Sequence, residues 1–211
     1  MCAYKTIQPP FTLNFFEMPK KELRAYFQWF QEIMPERISE LASAVRSSAG
    51  FENWQPDFSP DSLNVLGDWF ANQIETRLRT QDEVNSFNAQ APYPIERSDR
   101  ELTNRTFSLA MDIGMYLSQV LLRNQPSLKW DQPFANKRYI DYGQPILIGF
   151  AEKAELNPVS LTVTLAYGLL KRTRTGGRLR ELYDIWSSSV RKEAQGESGR
   201  NGRTEPDRLL P

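Results

Sequence analysis

Half of the ten residues 171–180, KRTRTGGRLR, are basic, and a glycine pair sits among them. Guanidinium forks in such a run suit phosphate or acidic-protein recognition. Helix punctuation suits it equally. Lys171, Arg172 and Arg174 would fall in the last turn of a helix, where cations meet exposed carbonyls. Gly176 or Gly177 would take the left-handed conformation that ends it. Arg178 and Arg180 would open the next helix, where their charge is mildly unfavourable, with Glu181 and Asp184 close enough to offset it. These last two arginines leave room for an anion-binding patch. A second basic segment, Lys137, Arg138 and Tyr139, lies upstream. With Tyr142 it would suit stacking on single-stranded nucleic acid, if the fold brought the two segments together.

Carboxylates are the other chemical resource. Asp112 stands inside LAMDIGMYL, among apolar residues. Helical spacing puts Arg105, Ser108, Met115, Tyr116 and Gln119 on its side. A buried carboxylate needs a partner, and Arg105 or a distant Arg or Lys would serve. A ligand-binding or acid/base role is the alternative reading. Asp61, Asp68 and Glu75, seven apart, form an acidic stripe that reads as a solvated helix face and could otherwise hold a hard cation. Ser189 and Lys192 match S-x-x-K, but a catalytic serine also needs oxyanion donors in a water-excluding site, and the match lies where a helix enters a polar tail.

The chain has no histidine and one cysteine, Cys2. This removes Ser-His-Asp and Cys-His catalysis, imidazole acid/base work and the usual zinc sites. It also removes an intrachain disulfide. Neither a Walker A motif nor G-x-G-x-x-G occurs. No catalytic residue, metal ligand or cofactor is assigned. Lysine plus arginine balances aspartate plus glutamate at 26 each, which argues against general attraction to nucleic acid or membrane. No apolar run has the length to span a bilayer, and the N-terminus does not read as a signal peptide. A lone thiol fits the cytoplasm.

Amphipathic helices must position these groups. At 211 residues, 40% of them hydrophobic, the chain suits one domain with its own core. Residues 1–17 read as an extended arm packing Phe11, Leu13 and Phe15 on the body. A helix begins near Pro19, kinks or breaks at Pro35 and ends before Gly50. FSPDSLNVLGDWFANQIETRL reads as a second helix, capped by Ser59, with Leu63, Leu66, Phe70, Ile74 and Leu78 as its stripe. A polar loop follows. SDRE, Ser98–Glu101, reads as a capping box for a central helix spanning about residues 98–123. SLKWDQP and QPILIGF pair as a small β-hairpin within about 127–150. Asn157-Pro158 caps a further helix, and GRLRELYDIWSSSV forms the last, presenting Leu179, Leu182, Ile185 and Trp186. The expected fold is mainly α: five or six amphipathic helices around the central one, forming a single globular domain over 1–188. Residues 189–211 read as a disordered polar tail.

FFEMPKKELRAYFQWFQEIMPERISEL, FSPDSLNVLGDWF, SLAMDIGMYLSQVLLRNQPSLKWDQPFANKRYIDYGQPILIGF and ELYDIW together resemble an uncharacterised family of bacterial, mainly helical proteins of about this length. The similarity covers about residues 11–187 and carries no catalytic residues. The Gly-Tyr helix followed by LKW and PILIGF also looks loosely like immunity proteins of bacterial toxin systems. The function expected is a non-enzymatic protein-interaction module, immunity-like or regulatory, with another protein as partner. Exposed aromatics among Trp29, Trp54, Trp69, Trp130 and Trp186 would mark its interface. A nucleic-acid or phosphate-ligand binder using 137–138 and 171–180 is one alternative, and a carboxylate-dependent hydrolase another. The candidate binding residues are Asp112, Tyr116, Lys137, Arg138, Tyr139, Arg172, Arg174, Arg178 and Arg180.

Overall fold

The structure, a computed structural model, describes residues 4–90 and 99–190, the side chains of 86–90 excepted. In chain order the elements are α1 (Lys20–Arg46), α2 (Ser62–Ala71), β1 (Thr76–Leu78), α3 (Gln81–Gln90), β2 (Arg100–Leu102), α4 (Asn104–Asn124), β3 (Lys129–Asp131), β4 (Ile146–Ile148), α5 (Pro158–Leu170) and α6 (Arg178–Ser188). A 3-10 turn covers Ala151–Lys153. The fold is mainly helical, as the apolar periodicity predicts, with β3 and β4 paired antiparallel as the expected hairpin.

Leu109, Ile113, Leu117 and Leu121 recur every four residues and are fully buried. Their helix, α4, is covered by α1, α5 and α6, which makes it the central rod. Its crossing with α5 is close. A Cβ at Gly114 would lie 2.9 Å from the Pro158 carbonyl oxygen. The buried Thr162 hydroxyl donates to the Ala110 carbonyl at 2.6 Å. From α1, Leu23, Phe30 and Leu41 reach the core, and Trp69 and Phe70 do so from α2. Each such burial contributes about 1.5–3 kcal/mol. Among the described residues no helix is long and apolar enough to cross a membrane.

Several local expectations differ from the structure. Pro35 does not break α1, which runs unbroken from Lys20 to Arg46. The ring lies on the exposed side, while Phe30, Met34, Ile38 and Leu41 stay buried on both flanks of it. Burying that face outweighs one missing hydrogen bond. The second helix stops at Ala71, and Thr76–Leu78 is a strand paired with Arg100–Leu102. Leu78 is therefore exposed and not part of the stripe. The N-cap position is Asp61, without a side-chain cap bond, and the Ser59 hydroxyl accepts from the Ser62 amide at 3.2 Å in the turn that leads into α2. The expected SDRE box is absent, because Glu101 sits in β2 and α4 starts at Asn104, capped by Thr103. Ser98 lies outside the described residues. The capping box occurs instead at TQDE, Thr80–Glu83, where Thr80 accepts from the Glu83 amide and Glu83 accepts from the Thr80 amide. It opens α3 in a stretch expected to be loop. In the arm, Phe11 and Phe15 pack on Tyr26 as expected, but Leu13 is exposed. In α6, Ile185 is exposed and Tyr183 is buried. The tail reading lies outside the described residues from 191 onward, although Val190 still bridges to Phe150.

Candidate functional site

Asp112 is fully buried, and its partner is Arg37, a distant arginine on α1, rather than Arg105. The Arg37 Nε and Nη2 donate to the two carboxylate oxygens at 2.9 and 2.7 Å. Tyr4, on the arm, donates its hydroxyl to the same carboxylate. Arg37 also donates to the Lys5 carbonyl at 2.9 Å, and the Ile7 amide to the Ser108 hydroxyl at 2.7 Å. Burial pushes the Asp112 carboxyl above the ordinary range, and the Arg37 hydrogen bonds and charge oppose this. The cluster thus staples the arm to α1 and α4, with every buried side-chain polar atom among the described residues partnered. Arg105 pairs with Glu75 at 3.0 Å. Glu75 lies beyond the end of α2, so the three-carboxylate stripe does not form.

Tyr116 is also fully buried. Its hydroxyl meets Ser62 Oγ at 2.7 Å and accepts from the Phe58 amide at 3.1 Å. Neither it nor Asp112 presents a group to solvent. Trp54 and Trp69 are buried, and Trp29, Trp130 and Trp186 pack partly buried against the core. The five tryptophans are therefore core residues, not an exposed aromatic patch. Ser189 donates its hydroxyl to the Trp186 carbonyl, and Lys192 lies outside the described residues.

The two basic segments stand at opposite ends of α5. Lys137 and Arg138 are exposed, and Tyr139 donates to Glu155 at 2.7 Å, just before α5 begins. The 171–180 run follows the other end of α5, whose 13 residues span about 20 Å. The fold therefore does not set the two segments side by side.

The 171–180 run itself builds the most developed surface feature. Helix α5 ends in a turn where the Gly168 carbonyl accepts from the amides of both Thr173 and Arg174, at 3.0 and 3.2 Å. The left-handed residue in that turn is Arg172, φ +54°, not either glycine. Gly176 serves a different need, the close approach of the start of α6 to α2, while Gly177, at the N-cap of α6, has room for a side chain. A Cβ on Gly176 would sit 2.6 Å from the Asp68 amide nitrogen, and one on Gly67 would sit 2.1 Å from the Gly176 carbonyl oxygen. Arg180 is bound to Asp61 and Asp184 and ties α6 to the start of α2. Arg178 pairs with Glu181 at 2.8 Å. Lys171, Arg172 and Arg174 are exposed and form no ion pair among the described residues.

Between α5 and α6 lies a groove of about 420 Å³. Leu161, Leu165 and Leu182 give it an apolar floor, and Lys171, Arg174 and Arg178 a cationic rim. A shallower basin of about 380 Å³ continues past Arg172, Arg174 and Arg178. The Arg174 stem lies over Gly168, where a Cβ would meet its Cγ at 2.9 Å. Tyr167 forms part of the wall, its hydroxyl donating to Glu101, which is ion-paired with Arg79. Burial, then the Glu101 carboxylate, pushes the Tyr167 phenol up to about 12, so it stays protonated. The groove combines apolar burial with fixed positive charge. Sequence reasoning found the cations; Leu165 and Leu182 are core residues and Leu161 packs partly buried against that core, so the apolar floor is the edge of the core itself. Among the described residues no group of three or more carboxylate or thiol ligands is placed to hold a metal ion. Comparison of the chain with protein-family models, with curated proteins and with solved structures finds no match.

Proposed function

We propose that this protein is a non-enzymatic interaction module that receives an acidic, leucine-bearing segment of a partner protein in the α5–α6 groove. The observation that carries the reading is the leucine floor beneath a rim where Lys171 and Arg174 have no counter-charge among the described residues. An apolar side chain on the floor would contribute about 1.5–3 kcal/mol, and carboxylates at the rim would add orientation and on-rate. The left-handed Arg172 supports the same site. A non-glycine residue held there carries strain, and strained residues cluster where a surface has work to do. The leucine floor favours a protein segment over nucleic acid, which would want exposed aromatic platforms. Toxin neutralisation in the cytoplasm, or regulation of a cellular enzyme, is the biological form this takes. The resemblance to immunity proteins makes a toxin the first partner to try.

The test uses a fluorescent peptide of alternating leucine and glutamate, titrated by anisotropy against the full chain. Binding should weaken with added salt and fall roughly tenfold or more in a Lys171→Glu/Arg174→Glu double variant. A partner captured from the native cell should be lost by the same variant. Equal binding by wild type and variant, or tighter binding of a single-stranded oligonucleotide than of the peptide, refutes the reading.

A further inference from the structure

Leu209 and Leu210 are the only leucines outside the described residues, and they follow two acids, Glu205 and Asp207, in the stretch EPDRLL. We infer that this segment, residues 205–210, docks in the α5–α6 groove of its own chain. There it competes with a partner's segment for the leucine floor and the cations above it. The inference rests on the reading of that groove given above and adds its regulation: the chain carries its own competitor.

Composition is the first reason. Between residues 191 and 204 the only apolar side chain is Ala194, so Leu209 and Leu210 are the apolar anchor this part of the chain offers. Side chains two apart in an extended chain share a side, which would turn Glu205, Asp207 and Leu209 the same way. The groove presents the matching pattern, with Leu161, Leu165 and Leu182 beside Lys171, Arg174 and Arg178.

Charge is the second. Lys171 and Arg174 are exposed and form no ion pair among the described residues, and Glu205 and Asp207 bring two carboxylates to them. Arg208, the segment's own cation, has a counter-charge available in Glu181, whose exposed side chain lines the adjoining basin beside Arg178.

Reach is the third. Val190, the last described residue, lies two positions beyond α6, and the groove's Arg178 and Leu182 stand on the first half of that helix. The path back along the helix from Val190 to Arg178 is about 18 Å. Residues 191–204 can extend to about 46–50 Å at most, so the chain returns to the groove with length to spare. A tethered segment within reach of its site acts at an effective concentration on the order of 1 mM. A contact with a Kd of about 0.1 mM between separate molecules would then close about tenfold within one chain.

The experiment places a nitroxide at position 204 of the full chain, as Cys2→Ser/Thr204→Cys, and reads amide NMR signals. Signals of Gly168, Arg174 and Leu182 should broaden, to the same degree at low and high protein concentration. The broadening should disappear in Leu209→Ser/Leu210→Ser and in Lys171→Glu/Arg174→Glu. Leu209→Ser/Leu210→Ser should also bind the leucine–glutamate peptide about tenfold tighter than wild type, a gain that damage to the fold would not give. Absence of broadening at the groove overturns the inference. So does broadening only of an unlabelled copy mixed with labelled chain, which would make the occupant a second molecule, and so does equal peptide affinity in wild type and Leu209→Ser/Leu210→Ser. If the peptide still binds wild type and is lost by Lys171→Glu/Arg174→Glu, those results remove the competitor and leave the interaction reading standing. A peptide that binds neither wild type nor Leu209→Ser/Leu210→Ser removes both.

Discussion

Replacing Arg37 by methionine should cost the fold about 3–5 kcal/mol at neutral pH, because it leaves a buried carboxylate without its charge partner. The structure sets that scale. Asp112 has no exposed surface, and Arg37 supplies two of its hydrogen bonds together with the only cation in contact with it among the described residues. The same substitution frees the Lys5 carbonyl and loosens the arm at Tyr4. Removing both charges, as Arg37→Met/Asp112→Leu, should return stability to within about 2 kcal/mol of wild type, since no ion is then buried. Urea unfolding of the wild type, each single variant and the double variant closes a thermodynamic cycle. The pH dependence gives a second check. Burial raises the Asp112 pKa, and without Arg37 the principal opposing influence is gone. A carboxyl that holds its proton more tightly folded than unfolded favours folding fully below its unfolded pKa. That advantage is lost as pH rises through the folded pKa. The deficit of Arg37→Met relative to wild type should therefore be smallest below about pH 4 and grow as pH rises toward the folded pKa of the unpaired carboxyl. Additive single-variant effects, or a deficit independent of pH, would refute the claim that Arg37 exists to neutralise Asp112.

Gly67→Ala should destabilise by about 1–3 kcal/mol through overpacking. Its Cβ would fall 2.1 Å from the Gly176 carbonyl oxygen, outweighing the helix-propensity gain of about 1 kcal/mol; a thermal melt showing stabilisation would contradict the α2–α6 contact. Thr80→Ala should cost α3 about 1 kcal/mol, read as faster amide exchange confined to that helix. Hydrogen bonds from Arg77, then from the Thr80 amide, hold the Glu83 carboxyl down at about 2. Its contribution to the cap is present above the unfolded value of 4.5 and is lost as pH falls through the folded one. A carboxyl NMR titration with a midpoint near 4.5 would rule the box out. Asn157→Ala removes the cap of α5, where the side chain accepts from the Ser160 amide at 3.0 Å, and should lower stability by about 1 kcal/mol in urea.

The α4 rod, the β3–β4 hairpin and the Asn157 cap were legible because each rests on local pattern: apolar spacing, a short β-prone run, one side chain reaching the next turn. Where local signals competed, reading failed. SDRE and TQDE are equally good capping boxes by composition, and pairing of Arg100–Leu102 with Thr76–Leu78 drew Glu101 into a strand. Pro35 has the chemistry of a breaker, yet the apolar face on either side of it keeps α1 continuous.

The amino-acid sequence by itself determined which chemistries this protein lacks, since a chain without histidine cannot perform imidazole catalysis in any fold. It also determined that the fold is mainly helical, since period and capping act within a few residues. Tertiary structure decided everything that depends on distant partners. It gave Asp112 to Arg37, 75 positions away, set the two basic segments at opposite ends of α5, and assigned Gly176 to helix contact while an arginine took the left-handed turn. It also laid leucines beneath the cations of the α5–α6 groove. Charge pairing and burial act through space, and one-dimensional spacing carries that information only where the chain is locally periodic.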